Sequence, residues 1–112
     1  MSPKRLLLLH EDRILGDLLR EKLEMANFTV NVARSADAGL KLGGERQPDV
    51  VVLDPLLPGT SPATLIPSLR ALGGEKPLPV IALPASRQLI ADNASEAGAT
   101  VMPRGTNLLD DL

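Results

Sequence analysis

Residues 47–59 read QPDVVVLDPLLPG, and this stretch decides the fold class. Within it, Val50–Leu53 is an unbroken apolar run, which predicts a strand that is buried on both faces of a sheet. Asp54 follows directly, so the predicted strand places a carboxylate at its carboxyl end, before a proline-rich loop. A strand of this kind needs helices on both sides of its sheet, and the rest of the sequence supplies them.

Short apolar runs alternate with amphipathic stretches along the whole chain. The predicted strands cover residues 6–9, 28–32, 50–53, 80–83 and 99–102, and the predicted helices cover residues 14–23, 36–42, a third stretch opening at Ser61-Pro62, and 86–97. We expect Asp12 to cap the first helix and Gly43-Gly44 to end the second. Residues 106–112 contain only the start of a fifth helix. This alternation predicts an α/β fold with a parallel sheet whose functional groups gather at the carboxyl ends of the strands.

The composition fits one domain over residues 1–112 and excludes several function classes. The chain has no cysteine and one histidine, His10, so disulfides, thiolate metal sites and multi-histidine centres are ruled out. A net charge of −2 argues against a general nucleic-acid-binding surface. No apolar stretch approaches the roughly 20 residues of a membrane span, so we expect a cytoplasmic protein. Phosphate-binding loops and activated nucleophiles are absent from the sequence, and we therefore expect no enzyme activity.

Four segments together resemble the receiver domains of bacterial two-component response regulators, the CheY-like family. They are residues 6–12 (LLLLHED), 47–59 (QPDVVVLDPLLPG), 78–85 (LPVIALPA) and 96–99 (EAGA). Their spacing matches that family nearly without gaps over residues 4–83 and more loosely from there to residue 112. The resemblance implies a single doubly wound, flavodoxin-like domain with a five-stranded parallel sheet in the order 2-1-3-4-5 and a truncated last helix. It also implies that the chain is the N-terminal part of a longer response regulator.

The resemblance implies a phosphorylation site at the edge of this sheet. Asp54 matches the family's phosphoacceptor, and the family's magnesium ion would be held by Glu11, Asp54 and the main-chain carbonyl of Leu56. His10 stands where the first residue of an acidic pair is expected, so the implied magnesium site is weakened, because magnesium prefers hard oxygen ligands.

Three further positions depart from the family pattern. Pro84 replaces the Thr or Ser at the end of the fourth strand and has neither a hydroxyl nor a backbone N–H. Arg104 is the best match to the family's lysine and would be the charge partner of a phosphoryl group. Met102 replaces the aromatic switch residue of the fifth strand. These replacements predict that classical switching is impaired.

The resemblance implies signal reception in a phosphorelay, and the alternatives differ in whether Asp54 is still used. In the active version, a histidine kinase or phosphotransfer protein phosphorylates Asp54, and the helix 4–strand 5–helix 5 face changes its affinity for an output domain or partner. In the degenerate version, a pseudo-receiver binds its partner, or a second copy as a homodimer, without phosphorylation. A flavodoxin-like ligand-binding domain is a third alternative.

Each candidate residue also has a simpler interpretation that involves no function. Asp54 would be a polar strand terminus, Glu11 a solvated loop acid, His10 a satisfied loop histidine, and Arg104 an exposed basic residue.

Overall fold

The computed structural model describes residues 3–84 and 88–102. The strands are β1 (Arg5–Leu9), β2 (Thr29–Ala33), β3 (Val50–Leu53), β4 (Val80–Ala82) and β5 (Thr100–Val101). The helices are α1 (Arg13–Met25), α2 (Ala36–Arg46), α3 (Pro62–Ala71) and α4 (Gln88–Glu96). All strand pairs are parallel, in the order β2-β1-β3-β4-β5, which confirms the predicted fold class and strand order.

The strand registers align the carboxyl ends of the sheet into one edge. Leu9 at the end of β1 pairs with Leu53 at the end of β3, and Leu53 pairs with Ala82 at the end of β4. The ladder continues one residue further, because the N–H of Asp54 donates to the carbonyl of Leu9 at 2.9 Å. His10 extends β1 in the same way, through a 3.0 Å bond to the carbonyl of Ala33. Both residues therefore have fixed backbone positions at this edge.

The core is aliphatic and lies in two layers, one on each face of the sheet. On one face, the buried residues of α3 and α4 pack on Leu7, Leu9, Val51 and Leu53. On the other face, Leu23 of α1 packs with Leu6, Leu8 and Val52. Alternate residues of each strand thus enter opposite layers, as the period of two in a strand requires. The helices cover both faces as predicted.

The second helix does not end where the sequence predicted. Gly43-Gly44 was expected to stop it at residue 42, but α2 continues to Arg46 and ends with Gln47 in the left-handed region, at φ 48°. Gly43 serves packing instead, because a Cβ built on it would lie 2.6 Å from Cδ1 of Leu72. Helix propensity alone therefore gave the wrong boundary.

Most other predicted boundaries agree with the structure to within one or two residues. The third helix opens at Ser61-Pro62 as predicted, with the Ser61 hydroxyl accepting from the N–H of Thr64 at 3.3 Å, and it runs through Pro67. Residues 85–87 and 103–112, which include Arg104 and the predicted fifth helix, lie outside the described part. None of the helices described combines the length and apolar character needed to cross a bilayer.

Candidate functional site

Asp54 lies directly after β3, at the carboxyl edge of the sheet, with its side chain 23% exposed. Its Oδ1 accepts a hydrogen bond of 3.0 Å from the N–H of Leu56, and its main-chain oxygen accepts one of 3.1 Å from the N–H of Leu57. An aspartate that bonds the backbone two residues on forms an Asx turn, which fixes the orientation of the carboxylate. Oδ2 is the oxygen left to face the rest of the site.

His10 is the side chain that Oδ2 faces. It is the one buried polar or charged residue among those described, at 8% exposure, and its Nδ1 lies 3.9 Å from Oδ2 of Asp54. The same Nδ1 accepts a hydrogen bond of 3.1 Å from the N–H of Asp12. The structure thus brings His10 and Asp54 together, and the histidine is hydrogen-bonded as its simpler interpretation predicted.

The two acids after β1 have different surroundings. Asp12 is the N-cap of α1, since its Oδ1 accepts from the N–H groups of Ile14 and Leu15 at 2.9 and 3.0 Å. This confirms the predicted capping role and commits the carboxylate to the helix terminus. Glu11 is exposed, and no ion pair of Glu11 occurs within residues 3–84 and 88–102.

The donor set at this edge departs from what magnesium requires. Magnesium prefers oxygen ligands in near-octahedral geometry at about 2.1 Å. The group that approaches Oδ2 of Asp54 here is an imidazole nitrogen. In the part of the chain that the structure describes, no cluster of three or more His, Cys, Asp or Glu side chains is arranged to hold a metal ion. The residues therefore fit magnesium poorly.

Pro84 and Met102 occupy the ends of the next two strands. Pro84 is exposed two residues after β4 and offers no donor toward the site. Met102 is 2% exposed, packs in the layer shared with Leu6 and Ile81, and donates its N–H to the carbonyl of Ala82 at 3.0 Å. Met102 is therefore a core residue.

Sequence reasoning missed two groups near this edge. The resemblance drew attention to the carbonyl of Leu56, but it is the amide of Leu56 that bonds Asp54. The Asp-Pro-Leu sequence carried that signal, because aspartate favours a turn that bonds the backbone two residues on. Arg34, one residue after β2, was also missed; its Nη2 lies 3.5 Å from Oδ1 of Asp17 in α1.

No protein-family model matches the chain, but several individual proteins are similar to it. The chain is similar to the phosphate regulon transcriptional regulatory protein PhoB of Rhizobium meliloti, with 37% identity over 86 residues, which is 76% of this chain and 37% of that protein. It is similar to the solved CheY-like response regulator receiver domain from Methylobacillus flagellatus, with a TM-score of 0.81 and 25% identity, over 96% of this chain and 92% of that chain.

A third comparison is with a response regulator protein from Burkholderia pseudomallei. Its crystal structure contains a phosphorylated aspartic acid and a calcium ion, and the TM-score is 0.81 at 23% identity, over 96% of this chain and 64% of that chain. The matched segment of the chain covers about a third of the length of these curated relatives.

Proposed function

The chain belongs to the receiver domains of two-component response regulators, and we propose that Asp54 accepts a phosphoryl group at a site whose coupling to the output surface is impaired. Receiver domains are signalling modules, and this one serves phosphorelay signal transduction. The observation that carries the proposal is the placement of Asp54: it directly follows the central strand β3, its side chain is 23% exposed, and Leu56 fixes Oδ1 so that Oδ2 is left without that hydrogen bond. The phosphorylated aspartic acid in the Burkholderia pseudomallei response regulator supports the same chemistry.

A histidine kinase or phosphotransfer protein is the proposed donor. In the transfer, the donor's phosphohistidine carries a proton on its other ring nitrogen. Its N–P bond breaks as an O–P bond to Oδ2 of Asp54 forms, and the imidazole therefore leaves as the neutral ring. The curated relatives include transcriptional regulators about twice as long as this chain, so we propose an output domain or separate partner as the receiver of the signal. The net charge of −2 supports an output through protein contacts rather than through direct nucleic-acid binding by this domain. We place this exchange in the cytoplasm.

Two replaced side chains support impaired switching. A hydroxyl at the end of β4 would bond the phosphoryl oxygens, but Pro84 has none and also lacks a backbone N–H. Met102 is buried in the core and has no ring whose rotation could report the event to α4. Arg104 remains the proposed charge partner of the phosphoryl group. In the proposal, magnesium binds this site only weakly, through Glu11, Asp54 and the main-chain carbonyl of Leu56. The binding is weak because the imidazole of His10 stands where an oxygen ligand is expected.

The proposal is tested by intact mass after incubation with a small phosphodonor such as acetyl phosphate. We expect one phosphoryl group on the native chain and none on the Asp54→Asn variant. Asp49→Asn is the matched control, because Asp49 lies at the other end of β3, where its Oδ2 accepts from the N–H of Arg5 at 2.8 Å. Retained labelling in Asp54→Asn, or no labelling of the native chain, would contradict the proposal.

A phosphorylation-independent binding module is the second candidate. It is favoured by two replacements at this edge. His10, beside Asp54, replaces an acid that the family uses to hold magnesium, and Pro84 replaces the hydroxyl that bonds the phosphoryl group. An unlabelled native chain that still binds its partner would make this candidate the better account.

A further inference from the structure

We propose that the outer edge of β2 binds an extended acidic segment of a partner protein, which adds a strand to the sheet. In the described part of the chain, β2 pairs with β1 alone and therefore forms one edge of the five-stranded sheet. This edge lies two strands away from β3, which carries Asp54 at its end, so the inference does not depend on phosphorylation of Asp54.

Alternate residues of β2 direct their main-chain groups away from β1. The N–H of Thr29 donates to the carbonyl of Lys4 at 2.9 Å, and the carbonyl of Ala33 accepts from the N–H of His10 at 3.0 Å. Main-chain groups of a strand point alternately to its two sides, so the N–H groups and carbonyls of Val30 and Val32 face outward. These groups are the ones that an added strand bonds at a sheet edge.

Two adjoining cavities follow this edge. The first has a volume of about 330 Å³ and is lined by Val32, Ala33 and residues of α2. Because Val32 and Ala33 face opposite layers of the core, this cavity lies at the edge of the sheet rather than over one face. The second, of about 360 Å³, lies at the amino end of β2 beside Thr29, and Glu45 lines both cavities. A groove therefore runs along β2, whose five residues span about 17 Å.

The charges of this groove favour an acidic occupant. Its charged lining residues are Arg5, Arg34, Lys41, Arg46 and Glu45. Arg34 lies 3.5 Å from Asp17, and within residues 3–84 and 88–102 no ion pair engages the other three basic side chains. This basic groove belongs to a chain whose net charge is −2. Pairing with the same edge of a second copy is disfavoured, because it would bring two basic grooves together, whereas carboxylates are attracted to one.

The two sides of the edge fit different side chains of the added strand. Val30 and Val32 are half-buried in the layer that α1 covers, so they offer apolar contacts on that side. On the other side, α2 presents the exposed side chains of Lys41 and Arg46. Successive side chains of a strand point to opposite faces of its sheet. The segment that fits this edge therefore alternates acidic residues with apolar ones.

The test titrates the full chain into a fluorescein-labelled hexapeptide of alternating glutamate and valine, at about 0.1 M salt, and follows fluorescence anisotropy. We expect saturable binding that weakens by about tenfold or more in the double variant Lys41→Glu/Arg46→Glu. Lys22→Glu/Lys76→Glu is the matched control, because it changes the net charge equally at exposed residues outside the groove. The control should weaken binding by no more than about threefold. Thermal melts verify that both double variants keep the fold.

Amide hydrogen exchange followed by NMR distinguishes strand addition from charge attraction alone. In the peptide complex, the N–H groups of Val30 and Val32 should exchange about tenfold more slowly or better, because each gains an acceptor. A labelled oligothymidylate with three phosphates carries the same charge as the peptide but cannot add a strand, and it should bind about tenfold more weakly.

Three results would overturn the inference: binding without protection of Val30 and Val32, equal binding of the oligothymidylate, or equal losses in the two double variants. Protection of the same two amides in the free chain, together with a dimer in sedimentation, would also overturn it by assigning the edge to a second copy. Because phosphoryl acceptance is read separately by mass, failure of this inference and failure of the acceptor proposal are distinguishable.

Discussion

Gly39→Ala and Gly44→Ala should change the stability of the domain in opposite directions, although both residues lie within α2. Around Gly44 there is open space, since a built Cβ meets no heavy atom within 4 Å. Alanine there gains only the helix propensity that glycine lacks, about 1 kcal/mol. For a domain of this size, that gain corresponds to a rise in melting temperature of about 4 °C.

Gly39 is different because α2 approaches the sheet at this residue. A Cβ built there would overlap Cδ2 of Leu9 and lie 2.9 Å from its Cγ, well inside the ordinary contact distance of about 3.5–4.0 Å. Leu9 is 0% exposed in the core, so its side chain has little room to move. Overpacking of this kind costs up to about 3 kcal/mol, and the propensity gain offsets about 1 kcal/mol of it. We therefore expect a net loss of about 2 kcal/mol.

Urea denaturation of the native chain and the two variants measures both effects. The predicted separation between Gly44→Ala and Gly39→Ala is about 3 kcal/mol in the free energy of unfolding, with similar m-values. Two variants that shift in the same direction by similar amounts would refute the reasoning, because backbone propensity would then outweigh the packing of α2 on β1.

Two further predictions concern the ends of the site. Asp12→Ala should lower the free energy of unfolding by about 1 kcal/mol, because two N–H groups of α1 lose their cap. Asp12→Asn, which keeps an accepting oxygen, should lower it by only a few tenths of a kcal/mol. Equal losses of the two variants in urea denaturation would contradict the capping role. Met102→Ala should lower the free energy of unfolding by about 2–5 kcal/mol, because Met102 is 2% exposed. Met25→Ala should change it by no more than about 0.5 kcal/mol, because Met25 is 87% exposed. Comparable melting temperatures of the two variants would show that Met102 is not a core residue.

β3 was predictable from its apolar run, and the strand order was predictable from the family resemblance. Val50–Leu53 agrees with the structure residue for residue, since an unbroken apolar run bounded by two aspartates leaves little choice. The end of α2 was not predictable in this way. A glycine pair stops an isolated helix, and only the approach of Leu7 and Leu72 shows why Gly43 is retained inside one.

The candidate site also contains features that local sequence rules predict and features that depend on tertiary contacts. The positions of Asp54, Asp12 and Pro84 follow from strand ends and capping rules, which are local. The contact between His10 and Asp54 was not predicted, because it depends on the parallel pairing of β1 with β3 across 44 residues of sequence, together with the burial of the imidazole. The Asx turn formed by Asp54 and the N–H of Leu56 could have been predicted from local rules, but the resemblance indicated only the carbonyl of Leu56.

The central claim, a receiver that keeps its acceptor but couples it poorly, is tested most directly by amide NMR spectra of the labelled chain before and after treatment with a phosphodonor. Leu56 is the natural reporter because its N–H bonds Oδ1 of Asp54 at 3.0 Å. We expect large shifts at Leu56 and Leu57 and little change across Gln88–Glu96 and at Met102. An unchanged spectrum would contradict the acceptor role of Asp54, and large shifts throughout α4 would contradict the impaired coupling.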